Sequence, residues 1–249
     1  MRQASATQFV TQNQQLAGEK DNLILMAMNK LRQETGFTEH FEIELEKHIP
    51  IGAGLGGGSS NAATTLKMLN KILDMRLSTE ELANIAAPLG ADIPLFVYGK
   101  TGIGTGTGTT IERLDIQPSA WIVTVHPKFP SSTAEAYQFF DPEMGTEYSV
   151  KHILLNDALE NWPNFLQNDL ETSVFPRHEL VGNIKDQMYD FGASYASMSG
   201  SGSSVFGIFN QDFVAIQAYE SFHSLGFPAN LTRPGFEPDF GVYKKETEE

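Results

Sequence analysis

No cysteine occurs in the sequence, which removes disulfides, thiolate metal sites and cysteine nucleophiles from consideration. Positive charge is scarce as well: 17 lysines and arginines stand against 31 aspartates and glutamates, a formal net charge of −14. Broad binding to nucleic acid or to an anionic membrane needs a cation for each phosphate touched, and such a surface lacks them. A small anionic ligand is a different case, because local backbone amides outweigh a distant negative field. Long apolar runs are also missing, none approaching the roughly 18 residues of a membrane span. Met1-Arg2-Gln3-Ala4-Ser5 leads into no apolar stretch of signal-peptide type, so the cytoplasm is the expected compartment. What remains, 41% hydrophobic and 19% charged residues in a chain of 249, is the balance of a globular protein large enough for one big core or two ordinary ones.

The patterning predicts an α+β chain. A polar lead-in ends in a short strand at Gln8-Phe9-Val10-Thr11, and Asp21-Asn22 can cap a helix carrying Ile24, Met28 and Leu31. Phe41, Ile43 and Leu45 alternate with glutamates, the period of a half-buried strand. Beyond a glycine-rich loop, Ala62, Leu66, Leu69 and Leu73 mark a second helix, and Ser78 with Glu81 forms a capping box for a third. Leu95 to Tyr98 and Thr110 to Glu112 read as strands flanking alternating glycines at Gly102, Gly104, Gly106 and Gly108, a turn between strands. Gln117-Pro118 is the expected domain boundary. In the second half a strand at Trp121 to Val125 precedes an inserted stretch from about Phe129 to Phe175. Then come a helix with Leu180, Ile184, Met188 and Phe191, strands at Tyr195 to Met198 and Val205 to Phe209, a helix through Ala215, Tyr219 and Phe222, and a strand at Ala229 to Thr232. That order, β-α-β-β-α-β, is ferredoxin-like. The expected division is residues 1–118, 119–240 and a charged tail at 241–249.

The informative segment is Pro50-Ile51-Gly52-Ala53-Gly54-Leu55-Gly56-Gly57-Gly58-Ser59-Ser60. Glycines permit positive φ and let a ligand approach the backbone without a Cβ in the way. The loop follows a strand and opens onto a helix beginning near Ser59, where unpaired N–H groups and the helix dipole favour an anion, phosphate above all. Gly58 stands where a Walker A loop needs lysine. The G-x-G-x-x-G at Gly52, Gly54 and Gly57 is followed by helix after helix instead of the βαβ unit of a dinucleotide fold. The histidines supply no zinc-hydrolase pattern, and no G-x-S-x-G elbow is present.

The loop resembles the second motif of the GHMP kinases, the superfamily of galactokinase, homoserine kinase and mevalonate kinase. Its glycine triplet before Ser59-Ser60-Asn61-Ala62-Ala63 is similar to the branch acting on 4-diphosphocytidyl-2-C-methyl-D-erythritol. Asp21-Asn22-Leu23-Ile24, Leu89-Gly90-Ala91-Asp92-Ile93-Pro94, Ser132-Thr133-Ala134-Glu135-Ala136-Tyr137, Asn168-Asp169-Leu170-Glu171 and Ser199-Gly200-Ser201-Gly202-Ser203 resemble further family segments in the same order. The resemblance implies two domains, the first related to the second domain of a small-subunit ribosomal protein and the second ferredoxin-like. It implies transfer of the ATP γ-phosphate to the 2-hydroxyl of that cytidine diphosphate-linked substrate, with Mg²⁺ accompanying ATP and Asp92 as the base. On local sequence alone the alternative is an aspartate that caps a turn before Pro94. Ser59 and Ser60 are either helix N-caps or groups facing the triphosphate, one of them a Mg²⁺ ligand, and the residues identify no metal ligand. Gly200, Ser201 and Gly202 either join two strands or help position phosphate or substrate. The family begins with a strand bearing lysine and asparagine, then Gly-Tyr-His. Neither precedes Asp21, so a member lacking several tens of N-terminal residues is expected, and no other lysine stands out as a replacement. Two other readings stay open: another small-alcohol kinase of the superfamily, or a nucleotide-binding protein without catalysis.

Overall fold

The computed structural model describes residues 1–18, 21–116, 119–140 and 149–236. The chain divides into two units: the described residues of Met1–Ile49 with Gly56–Asp115, and Pro50–Leu55 with the described residues from Ile116 onward. The expected boundary at Gln117-Pro118 and the charged tail lie outside the described residues. Among the described residues no helix is long and apolar enough to cross a membrane.

The first unit contains a three-stranded sheet of β1 (Arg2–Ala4), β2 (Gln8–Thr11) and β3 (His40–Leu45), in the order β1-β3-β2. The pairing of β2 with β3 is parallel, Phe9 opposite Ile43, which requires the crossover supplied by helix α1 (Leu23–Thr35). Asn22 starts α1 by accepting the Ile24 N–H at 2.9 Å, a cap worth about 1 kcal/mol, and Gly36 at φ 75° ends it. Helices α2 (Gly57–Ile72), α3 (Thr79–Ala86) and α4 (Ile93–Tyr98) follow, α3 with both arms of the Ser78–Glu81 capping box in place. Phe41 and Ile43 of β3 share one buried cluster with Met28 and Leu31 of α1, Leu66 and Leu69 of α2, and Val97 of α4. Two strands close the unit, β4 (Gly102–Thr105) and β5 (Thr110–Arg113), an antiparallel pair; of the alternating glycines expected to form a turn, Gly102 and Gly104 are paired within β4 and only Gly106 and Gly108 lie in the turn.

Here the structure corrects one expectation: Leu95 to Tyr98 is helix, not strand. A four-residue apolar run has no period to read. Its flanks decide instead, with Pro94 in the first helical turn and Gly99 at φ 67° accepting the C-terminal position.

The second unit carries a four-stranded antiparallel sheet of β6 (Trp121–Val125), β7 (Tyr195–Met198), β8 (Val205–Phe209) and β9 (Ala229–Thr232), in the order β7-β8-β6-β9. This is the ferredoxin-like order expected from the sequence. Between β6 and β7 lie the short helices α5 (Thr133–Gln138), α6 (Val150–Asn156) and α7 (Glu171–Val174), then α8 (Glu179–Asp190); α9 (Asp212–Ser224) connects β8 to β9. Val181, Ile184 and Met188 of α8 and Ala215, Ala218 and Phe222 of α9 bury against Val123, Val125, Val205 and Phe209. Leu180, expected on that stripe, is 40% exposed, and Val181 takes its place. Spacing of three and four from Val181 keeps the buried face in line.

Candidate active site

In the first unit the site is built around the start of α2. The helix begins at Gly57, so Ser59 and Ser60 lie inside its first turn and are not its N-cap. Gly56 holds that position, at φ 63°, with no side-chain cap. A Cβ on Gly56 would come within 2.5 Å of the Phe96 ring of α4, so both conformation and packing demand glycine there. The first helical hydrogen bond is donated by the Ser60 N–H to the Gly56 carbonyl at 2.9 Å. Among the described residues the amides of Gly57, Gly58 and Ser59 therefore have no acceptor, and the helix dipole adds to them. Ser60 Oγ donates back to the Gly57 carbonyl at 3.1 Å, which leaves the Ser59 hydroxyl the less committed of the two.

Lys47 is the residue that sequence reasoning missed. Its Nζ lies 2.7 Å from where a Cβ on Gly57 would sit. Burial pushes the ammonium below the usual lysine pKa, and the positive end of α2 is an unfavourable neighbour for a cation. An anion seated between the two would reverse both penalties. Nothing local in the sequence marks Lys47, since it is one charge in the alternating run that leaves β3. Gly57 itself has no positive φ. What a side chain there would meet is Lys47 Nζ and, at 3.1 Å, Ile49.

Asp92 occupies the N-cap position of α4, yet its carboxylate caps nothing. Among the described residues it has no hydrogen bond or ion pair, and it is exposed. The turn-capping reading therefore fails. Asp92 precedes Phe96 by four residues, so the two project from the same side of α4. Phe96 is the ring packed on Gly56, so Asp92 stands one helical turn before the residue that meets the end of the glycine loop. Ala91 is backed by the β4–β5 turn, where a Cβ on Gly108 would lie 3.2 Å from the alanine methyl. No group of three or more His, Asp or Glu side chains converges as a metal cage among the described residues.

In the second unit, residues 50–55 are held by their carbonyls. The Gly52 carbonyl accepts from the Ser131 N–H at 2.9 Å and the Ala53 carbonyl from the Ser204 N–H at 3.0 Å. The Gly54 carbonyl accepts from Ser199 Oγ at 2.8 Å. Gly52 and Gly54 have φ of 68° and 73°, alternating with the negative φ of Ala53 and Leu55, the backbone alternation that turns successive N–H groups into a concave anion nest. Gly200, Ser201 and Gly202 form the turn between β7 and β8 that supports this loop. The Ser201 carbonyl accepts from Ser131 Oγ at 2.7 Å, and the Ser201 hydroxyl lies 2.8 Å from Thr133 Oγ1.

Residues 22–100 match the family model of the GHMP kinases N terminal domain, and residues 151–226 match that of the GHMP kinases C terminal. A 4-diphosphocytidyl-2-C-methyl-D-erythritol kinase of Parabacteroides distasonis is 42% identical over 196 residues, 78% of this chain and 71% of that protein. One from Chloroherpeton thalassium is 36% identical over 232 residues, 90% of this chain and 80% of the other. The crystal structure of a 4-(cytidine 5'-diphospho)-2C-methyl-D-erythritol kinase superposes with a TM-score of 0.74 at 28% identity, covering 91% of this chain and 81% of that one. A homoserine kinase from Cytophaga hutchinsonii shares the fold, with a TM-score of 0.66 at 17% identity over 94% of this chain and 83% of that one. The chain therefore belongs to the GHMP kinases and, within them, to the family of the 4-diphosphocytidyl-2-C-methyl-D-erythritol kinases.

Proposed function

We propose that this chain transfers the γ-phosphate of ATP to the 2-hydroxyl of 4-diphosphocytidyl-2-C-methyl-D-erythritol, in the cytoplasm, with Mg²⁺ brought in on the nucleotide. The observation that carries the chemistry is Asp92: an exposed carboxylate without a structural partner among the described residues, one helical turn before Phe96, the ring that packs on the phosphate-loop glycine Gly56. The substrate assignment is supported by the names of the relatives. The amides of Gly57, Gly58 and Ser59 and the Lys47 ammonium would hold the triphosphate, fixed dipoles and a cation already aimed where negative charge collects. Asp92 would take the proton of the substrate hydroxyl as its oxygen bonds to the γ-phosphorus and the bond to the bridging β,γ-oxygen breaks, releasing ADP. No group of three or more His, Asp or Glu side chains could hold a metal among the described residues; the Ser59 hydroxyl would be a protein oxygen available to Mg²⁺, which would offset the charge of the phosphates.

The test is ADP release from MgATP by the purified chain, assayed with 4-diphosphocytidyl-2-C-methyl-D-erythritol, homoserine and mevalonate in turn. Release dependent on the first alcohol alone is expected, with a new phosphomonoester signal in ³¹P NMR. Release dependent on another alcohol would move the chain to a different kinase specificity, and nucleotide binding with no turnover on any of them would leave only a binding protein.

A further inference from the structure

The segment Asn168–Glu171 grips the strand that leads into the loop's support. Met198, the last residue of β7, has both backbone groups taken by it. Its N–H donates to Glu171 Oε1 at 2.8 Å, and its carbonyl accepts from Asn168 Nδ2 at 2.9 Å. The same Asn168 amide donates to the Gly200 carbonyl at 2.7 Å. Asn168 is itself oriented by the Leu170 N–H, which donates to its Oδ1 at 3.1 Å. Glu171 is 7% exposed, accepts from Ser197 Oγ at 3.1 Å, and is paired with Lys185 of α8.

From Met198 the connection runs on through hydrogen bonds. The Ser199 N–H donates to the Ser204 carbonyl at 2.8 Å and the Gly202 N–H to the Ser199 carbonyl at 2.9 Å, which closes the turn. Ser199 Oγ and the Ser204 N–H then hold the carbonyls of Gly54 and Ala53. In a planar trans peptide the carbonyl of one residue and the N–H of the next point in opposite directions. Fixing the carbonyls of residues 52, 53 and 54 on one side thus aims the amides of Ala53, Gly54 and Leu55 to the other.

We infer that Asn168 and Glu171 are positioning residues of the phosphate loop: they set the β7–β8 turn, and through it the direction of three loop amides. The inference rests on the phosphoryl-transfer reading of the loop.

The experiment is calorimetric titration of the whole chain with a non-hydrolysable MgATP analogue, together with thermal unfolding, for wild type, Asn168→Asp, Glu171→Ala and Glu171→Gln. Asn168→Asp keeps the shape but loses the two hydrogen bonds to Met198 and Gly200, so its Kd should rise about tenfold. Glu171→Gln keeps an acceptor for the Met198 N–H but strands the Lys185 charge. It should lose thermal stability while holding affinity within about threefold of wild type. Glu171→Ala should lose both. A purely structural role predicts that affinity tracks melting temperature across all the variants, and that outcome overturns the inference, as does wild-type affinity in folded Asn168→Asp. Failure of the wild-type chain to bind the analogue at all would instead remove the kinase reading beneath it. Asn168→Asp exchanges one heavy atom, with the amide hydrogens lost and a negative charge gained, at an unchanged side-chain shape, so it keeps the test decisive where Glu171→Ala does not fold.

Discussion

A methyl group added at Gly54 would test the loop directly. Its backbone stands at φ 73°, and an ideal Cβ there falls 2.2 Å from the Ser199 carbonyl oxygen and 2.6 Å from that of Gly202. Both neighbours are backbone of a turn tied down by its own hydrogen bonds, so neither can rotate away as a side-chain end would. Gly106, at the tip of the β4–β5 turn, has a similar φ of 65° with nothing within 4 Å of the added carbon. Gly106→Ala therefore measures the left-handed backbone alone, about 1 kcal/mol. Gly54→Ala incurs the same strain and must also push the loop off the turn. That displacement breaks the bonds from Ser199 Oγ and the Ser204 N–H, at roughly 1 kcal/mol each. The excess over Gly106→Ala is thus about 2 kcal/mol, equivalent to about 4–8 °C in melting temperature for a chain of this size. If the displaced amides are those that hold phosphate, a similar loss in ATP binding, about thirtyfold in Kd, follows. Scanning calorimetry and titration with a non-hydrolysable ATP analogue on both variants decide the matter. Equal melting temperatures would refute the packing argument, and a destabilised Gly54→Ala with wild-type affinity would refute the phosphate-loop assignment.

Three further outcomes are expected. Asp92→Asn, which keeps the shape and breaks no structural bond, should lower kcat by roughly 10²–10⁴ with ATP affinity unchanged; an undiminished kcat removes Asp92 as the base. Lys47→Met should weaken ATP binding by tenfold or more, on the order of one charge-assisted hydrogen bond, while leaving the nucleotide-free chain as stable as wild type or more so. The two effects have opposite sign because the same charge that would attract phosphate is half-buried and faces the positive end of α2. An unchanged Kd in this variant would take Lys47 out of the site. His126 is buried beside Ser204, and desolvation lowers its pKa. The unfolded chain therefore binds a proton before the folded one does, so the neutral imidazole's contribution is complete above the unfolded pKa near 6.5 and is lost as pH falls from there through the lowered folded value. Urea unfolding across that range should show His126→Gln with a shallower loss than wild type; parallel curves would remove the assignment.

The division between what sequence and tertiary structure determined follows the reach of each interaction. Elements with a strong period or a local cap were legible in the residues: the alternation of Phe41 and Ile43, the capping box at Ser78 and Glu81, and the β-α-β-β-α-β order behind the β7-β8-β6-β9 sheet. Each depends on neighbours a few positions away. The glycine loop was legible for the same reason, because conformational freedom and helix initiation are local properties. The run Leu95 to Tyr98 was not, since its four apolar residues fit either period and only its flanking proline and glycine decide. Tertiary packing alone brought Lys47 Nζ to the start of α2, set Phe96 against Gly56, and left Asp92 without a structural partner among the described residues. It also tied the carbonyls of residues 52 to 54 to Ser131, Ser199 and Ser204, with Ser199 standing 145 positions from Gly54. Contacts at that separation leave no period and no local motif, because the side chains that make them are chosen by where the folded backbone passes and not by what stands beside them in sequence.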